Sequence, residues 1–160
     1  SVTIINAANT SPAIPAAAPA TTAETSHVPD AKTADVPSAR VPGLPDLSVR
    51  ILSKGVIEPV SGDIISREPT SPEELVAVRF LISNVGGAST GTWYFTAQLP
   101  IYPDYAYASP AQVPLARGAS IENTLRFKNA VPGGIFSVSV DPVDEVRESS
   151  EINNTASVNI

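Results

Sequence analysis

Leu75-Val76-Ala77-Val78-Arg79-Phe80-Leu81-Ile82-Ser83-Asn84-Val85-Gly86-Gly87 is the stretch that decides the fold. Val76, Val78, Phe80 and Ile82 fall on one side of an extended chain, and Ala77, Arg79 and Ser83 on the other. A period of two, carried by β-branched and aromatic residues, marks a strand that buries one face. Asn84 through Gly87 ends it, because Asn and Gly accept the backbone conformations a turn requires.

The same pattern recurs on both sides. Upstream, Leu47, Val49 and Ile51 alternate with Ser48, Arg50 and Leu52, and residues 56–60 read as a short continuation broken by Pro59. Downstream, residues 92–99 place Trp93, Phe95, Ala97 and Leu99 on one face, and residues 121–127 do the same for Ile121, Asn123, Leu125 and Phe127. Residues 135–141 send Phe136, Val138 and Val140 inward, and residues 155–160 close the pattern with Val158 and Ile160. Residues 61–74 and 100–114 read as polar or proline-broken loops. About seven strands with turns between them and no helical run predict an all-β, immunoglobulin-like antiparallel β-sandwich over residues 46–160.

Ahead of the sandwich the composition changes abruptly. Residues 9–45 hold seven prolines among Ala, Ser and Thr. Proline fixes φ and removes a backbone donor, so neither helix nor sheet runs through such a stretch. The expectation is an extended Ala/Pro-rich N-terminal arm, a semi-rigid tether able to reach about 100 Å at ~3.1 Å per residue. Residues 1–8, Ser-Val-Thr-Ile-Ile-Asn-Ala-Ala, are uncharged and rich in β-branched side chains. They read as one short strand with no local partner. Such a segment can add to an open sheet edge, and Val2, Ile4 and Ile5 are the candidate inserting residues.

Charge and composition narrow the function. A net charge of −6 argues against nucleic acid and against an anionic membrane surface, both of which select clustered Lys and Arg. Without cysteine the sandwich is held by packing alone. No run approaches the ~20 apolar residues of a membrane span. Position 1 is Ser and there is no Met, which reads as a processed chain freed of a secretory leader. One His, at position 27, and no Cys provide neither a His-dependent triad nor a zinc site, so no enzyme and no cofactor is expected.

Four stretches carry a family resemblance. They are Leu47-Ser48-Val49, the run from Val78 through Gly86, the Trp93 strand, and the segment from Asp141-Pro142 through Glu148 and Glu151 to Asn153-Asn154. Over residues 46–160 the chain resembles the bacterial and archaeal cell-adhesion-related domain, the CARDB family. The resemblance implies an immunoglobulin-like sandwich used as a repeated spacer or adhesion module in secreted prokaryotic proteins, with no catalytic residue to carry over. This chain differs in holding one module behind a long tether.

Several residues merit a second reading. Asp141, Asp144, Glu148 and Glu151 offer carboxylate oxygens dense enough for a Ca²⁺, yet the spacing fits no EF-hand loop and Arg147 sits among them. The alternative is a hairpin loop whose Asp and Asn side chains cap backbone amides. Tyr102, Tyr105 and Tyr107 could present a binding surface, since tyrosine offers large contact area at low entropic cost, or could be scattered edge aromatics. Trp93 is either a stacking residue or the core tryptophan of the sandwich. Asn9 and Asn153 begin triplets of the N-glycosylation pattern.

Two functional classes follow as expectations. The first is an extracellular or cell-surface structural subunit that assembles with copies of itself into a filament or surface layer, its arm packing on or adding a strand to a neighbour. The second is a tethered adhesin that recognises glycan or a cell-surface protein through the tyrosine loop. An accessory domain of a secreted hydrolase is a further alternative.

Overall fold

The computed structural model describes residues 43–160. Val2, Ile4, Ile5, Asn9, His27 and nearly all of the proline-rich arm lie outside the described residues.

Period-two segments pair into two four-stranded antiparallel sheets. One is ordered β2-β1-β3-β6, with β1 at Leu47–Ile57, β2 at Ile64–Ile65, β3 at Val76–Asn84 and β6 at Ser120–Phe127. The other is ordered β5-β4-β7-β8, with β4 at Phe95–Leu99, β5 at Tyr105–Ala108, β7 at Ile135–Val140 and β8 at Thr155–Asn159. Face-to-face packing buries the inward side chains of both sheets. Phe80 meets Phe95 edge-on at 5.5 Å between ring centroids, and Phe127 stacks on Phe136 at 6.4 Å. Trp93 is fully buried, and its indole N–H donates to the Val113 carbonyl at 2.9 Å. It is a core residue, not a stacking platform for a ligand.

Among the described residues eight strands stand where about seven were expected, and the differences have local causes. Residues 47–57 are one strand, not two. Leu52 is an extra residue bulged out between Ile51 and Ser53. The bulge reverses the parity of the strand, so Val56 turns inward although Leu47 lies on the odd-numbered face. The expected loop at 61–74 contains the two-residue β2, which Gly55 lets approach closely. A Cβ on Gly55 would stand 2.7 Å from the Ile65 carbonyl carbon. The expected loop at 100–114 contains β5, which pairs with β4 from Leu99↔Tyr105 to Thr96↔Ala108. At the start of the domain, Pro45 and Asp46 are buried and the Leu44 carbonyl accepts from Gly87 N–H at 2.7 Å. The packed structure therefore begins about two residues before position 46.

The sandwich has two distinct poles. β1 starts at Leu47 opposite Asn84, and Val49 N–H donates to the Asn153 carbonyl at 3.1 Å, which brings the start of β1 to the start of β8. β8 runs away from there and ends with Asn159 opposite Ile135. The chain thus joins the sandwich at the Asp46 pole, and Ile160 lies at the opposite pole, roughly 20 Å away at the rise of a β-strand.

Candidate functional site

The described residues concentrate buried polar side chains at the Asp46 pole. Asp46, Asn84, Asp141 and Asn154 are all buried there. Burial of a polar group is costly unless it is hydrogen-bonded, so each must find partners in the protein.

Asn84 closes β3 and organises the turn after it. Its Oδ1 accepts from Asp46 N–H at 3.2 Å and from Gly86 N–H at 3.1 Å. Its Nδ2 donates to the Ala88 and Leu115 carbonyls at 2.7 and 2.9 Å. One side chain thereby holds three separate segments to the end of β3. Asp46 reaches the C-terminal loop: its carboxylate accepts from Ser149 Oγ at 2.9 Å and from Asn153 Nδ2 at 2.7 Å. Glu148 answers from the other side by accepting from Leu47 N–H. Ser149 N–H also donates to the Pro45 carbonyl at 2.9 Å. The result is a latch that clamps residues 45–47, where the arm joins, to the loop between β7 and β8.

That loop is held by its own acids. Asp141 stands at positive φ and accepts from Glu145 and Val146 N–H at 3.1 and 2.8 Å. Asn154 donates to Glu148 Oε1 at 3.3 Å and Glu151 Oε2 at 2.7 Å. Asp141, Glu148 and Glu151 are therefore engaged in holding backbone and amide groups. Among the described residues no three His, Cys, Asp or Glu side chains are placed to hold a metal ion. Asn153 lies inside the latch, and the nitrogen a glycan would occupy donates to Asp46.

The latch crowds like charges. Burial pushes the Glu148 carboxyl up to about 7, helped by the negative charges of Glu151 and Asp141 and opposed by the Leu47 N–H. Glu151 is raised as well, first by burial and then by Asp144. A carboxyl whose pKa is higher folded than unfolded binds more protons in the folded state. Its ionisation therefore destabilises the fold as pH rises from the ordinary value of 4.5 through about 7. The thermal midpoint should accordingly fall by about 3 °C between pH 5 and pH 8. Glu148→Gln should flatten that slope; a midpoint that rises with pH in both proteins would contradict the assignment. Glu74 works in the opposite sense and in a lower window. Its exposed pairing with Arg67 holds it down to about 2, so its contribution is lost only as pH falls below the ordinary carboxylate range.

The tyrosines do not form one patch. Tyr102 is 81% exposed and Tyr105 40%, but Tyr107 is only 8% exposed and packs on Phe95 with ring centroids 5.7 Å apart. Tyr107 belongs to the core because β5, unread in the sequence, turns it inward. Tyr102 borders a cleft of about 390 Å³ at the Ile160 pole, walled by Pro72, Ala130, Val131 and Pro132.

Two antiparallel sheets packed around aromatic residues, without a helix among the described residues, define an immunoglobulin-like β-sandwich. The chain belongs to the CARDB family, whose model matches residues 44–158. Among solved structures it is similar to the CARDB domain of the PF1109 protein of Pyrococcus furiosus, crystallised in complex with di-metal ions. Identity is 18%, the match covers 80% of this chain and 97% of that one, and the TM-score is 0.52. The solution NMR structure of the same domain matches with 20% identity over 74% of this chain and 94% of that one, with a TM-score of 0.48. The crystal structure's likeness concerns the fold. No curated protein matches the sequence.

Proposed function

We propose that this chain is an extracellular structural subunit that self-associates, the N-terminal arm of one copy binding the sandwich of the next. The observation that carries the reading is the placement of the two ends of the domain. The arm joins at the Asp46 pole, where the latch clamps residues 45–47 to the β7–β8 loop, and Ile160 lies at the far pole. A module with its arm at one pole can be linked to a neighbour through that arm. The arm supplies the connection: an extended chain of its length, at ~3.1 Å per residue, would reach several times the length of a domain. An arm-to-neighbour contact is head-to-tail, and a contact of that kind does not close on itself unless the rotation between copies makes a ring. Residues 1–8 bring the β-branched segment that such a contact needs, with Val2, Ile4 and Ile5 as its apolar side chains.

Removal of residues 1–8 tests the reading. Sedimentation velocity of the full chain should show larger species as concentration rises, and the truncated chain should remain monomeric throughout. Equal association of the two proteins would end the proposal.

A further inference from the structure

The self-association reading requires an acceptor, and the hydrogen-bond ladders restrict where it is. Asn84 N–H donates to the Ala119 carbonyl and the Asn84 carbonyl accepts from Gly118 N–H, so Asn84 directs both backbone groups toward the β6 side of β3. Antiparallel pairs alternate, so residues 121, 123, 125 and 127 direct their backbone groups to β3. The backbone N–H and C=O of Glu122, Thr124 and Arg126 therefore point out of the sheet, and no backbone partner meets them among the described residues.

The other edges are shorter or blunted. β5 has four residues between Pro103 and Pro110. β1 carries the Leu52 bulge, is covered by β2 at one end and bonds Asn153 at the other. β8 has five residues and lies beside β1. Bulges, prolines and short length are the usual ways an edge is closed to pairing. β6 is eight residues long and has no proline and no bulge.

A second observation falls on the same strand. Four buried side-chain atoms lack a hydrogen-bond partner among the described residues, and both nitrogens that are not in the latch, Asn123 Nδ2 and Arg126 Nε, belong to β6. Asn123 is 4% exposed and shares the inward face with Leu125 and Phe127. The Nδ2 atom is sealed from solvent, so it marks a polar position on the inward face of β6 and is not itself a docking group.

We propose that the β6 edge accepts residues 1–8 of a second copy as an added antiparallel strand, with Asn6 opposite Asn123, Ile4 opposite Leu125 and Val2 opposite Phe127. Only one parity of an added strand directs Val2, Ile4 and Asn6 inward together, and this register then sets apolar residues against apolar residues and amide against amide. Pairs facing each other at positions 123 and 125 are of the non-hydrogen-bonded kind, in which side chains come closest. The backbone of Glu122, Thr124 and Arg126 bonds residues 7, 5 and 3. This inference rests on the self-association reading and names the surface it uses.

Thr124→Pro is the discriminating variant. It removes an outward N–H and no bond of the β3–β6 ladder, and edge strands tolerate proline. Unshifted fluorescence of buried Trp93 verifies that the full-length variant is folded. Self-association should weaken at least about tenfold, the equivalent of one interfacial hydrogen bond, whereas Ser157→Pro on the β8 edge should leave it unchanged. The cysteine-free background permits a second measurement that does not depend on the proline. Full chains bearing Ile5→Cys, mixed with full chains bearing Thr124→Cys, should form a disulfide between copies under mild oxidation. The Cα separation of a hydrogen-bonded pair, about 5.5 Å, lies within disulfide range.

If truncation of residues 1–8 abolishes association but Thr124→Pro does not, or if Ile5→Cys couples to Ser157→Cys instead, the β6 assignment falls and the arm reading survives. A disulfide formed within one chain carrying both Ile5→Cys and Thr124→Cys, at concentrations where it is monomeric, overturns the second copy as occupant. Unchanged association after truncation overturns both.

Discussion

Asn84→Ala is expected to destabilise the domain by about 4 kcal/mol. The wild-type side chain is fully buried and serves four backbone groups: the N–H groups of Asp46 and Gly86 and the carbonyls of Ala88 and Leu115. Alanine leaves all four without that partner, and each unsatisfied buried group costs about 1–3 kcal/mol. Water entering the vacated space will recover part of this, which keeps the total below the simple sum. For a domain of this size the thermal midpoint should drop by about 15 °C, read by circular dichroism or calorimetry. Asn84→Asp should be comparably damaging, because it keeps the acceptor but loses both donated bonds and brings a charge into a buried site. A midpoint within about 3 °C of wild type for Asn84→Ala would mean that the turn is held by something else.

Gly86→Ala is the second large effect, and its cause is space. An added Cβ would stand 2.6 Å from the Leu44 carbonyl oxygen and nearer still to Pro45 and to the Asp46 nitrogen. All of these are backbone atoms and none can rotate away. The neighbouring chain cannot retreat cheaply either, since Val85 N–H bonds the Asp46 carbonyl at 2.7 Å and Gly87 N–H bonds the Leu44 carbonyl at 2.7 Å. Accommodation must break this pair of bonds and lift residues 44–46, which would loosen the Asp46 end of the latch. The expected cost is about 3 kcal/mol, with a midpoint about 10 °C lower. Hydrogen exchange at the Val85 and Gly87 amides should accelerate by more than the global destabilisation requires. Slow exchange at both amides would show that the alanine is absorbed without displacing the chain.

These two residues show how much of the architecture is legible from residue pattern. The alternation from Val76 to Ile82 and the Asn84-Val85-Gly86 stop are local signals, and the structure places them as a strand and its turn. Asn123 also read correctly as inward-facing despite its polarity, because parity outranks residue type along a strand. Three things were not legible. Leu52 looks like any apolar strand residue, and only its partner strand reveals that it is surplus. β5 is flanked by prolines and lacks alternation, so it exists by virtue of β4 beside it, and Tyr107 went unrecognised as a core residue for that reason. The latch joins Asp46 and Leu47 to residues more than a hundred positions later in the chain, Glu148, Ser149 and Asn153. The acidic cluster was visible in the sequence, but its partner was not, because nothing local connects the two. A buried carboxylate needing donors was the available clue, and it appears only once burial is known.

The most direct measurement of the central claim is hydrogen–deuterium exchange of the full chain over a range of protein concentrations. Association through the arm should slow exchange within residues 1–8 as concentration rises, in step with the outward amides of Glu122, Thr124 and Arg126. Residues 1–8 exchanging at the unprotected rate from the most dilute to the most concentrated sample would contradict it.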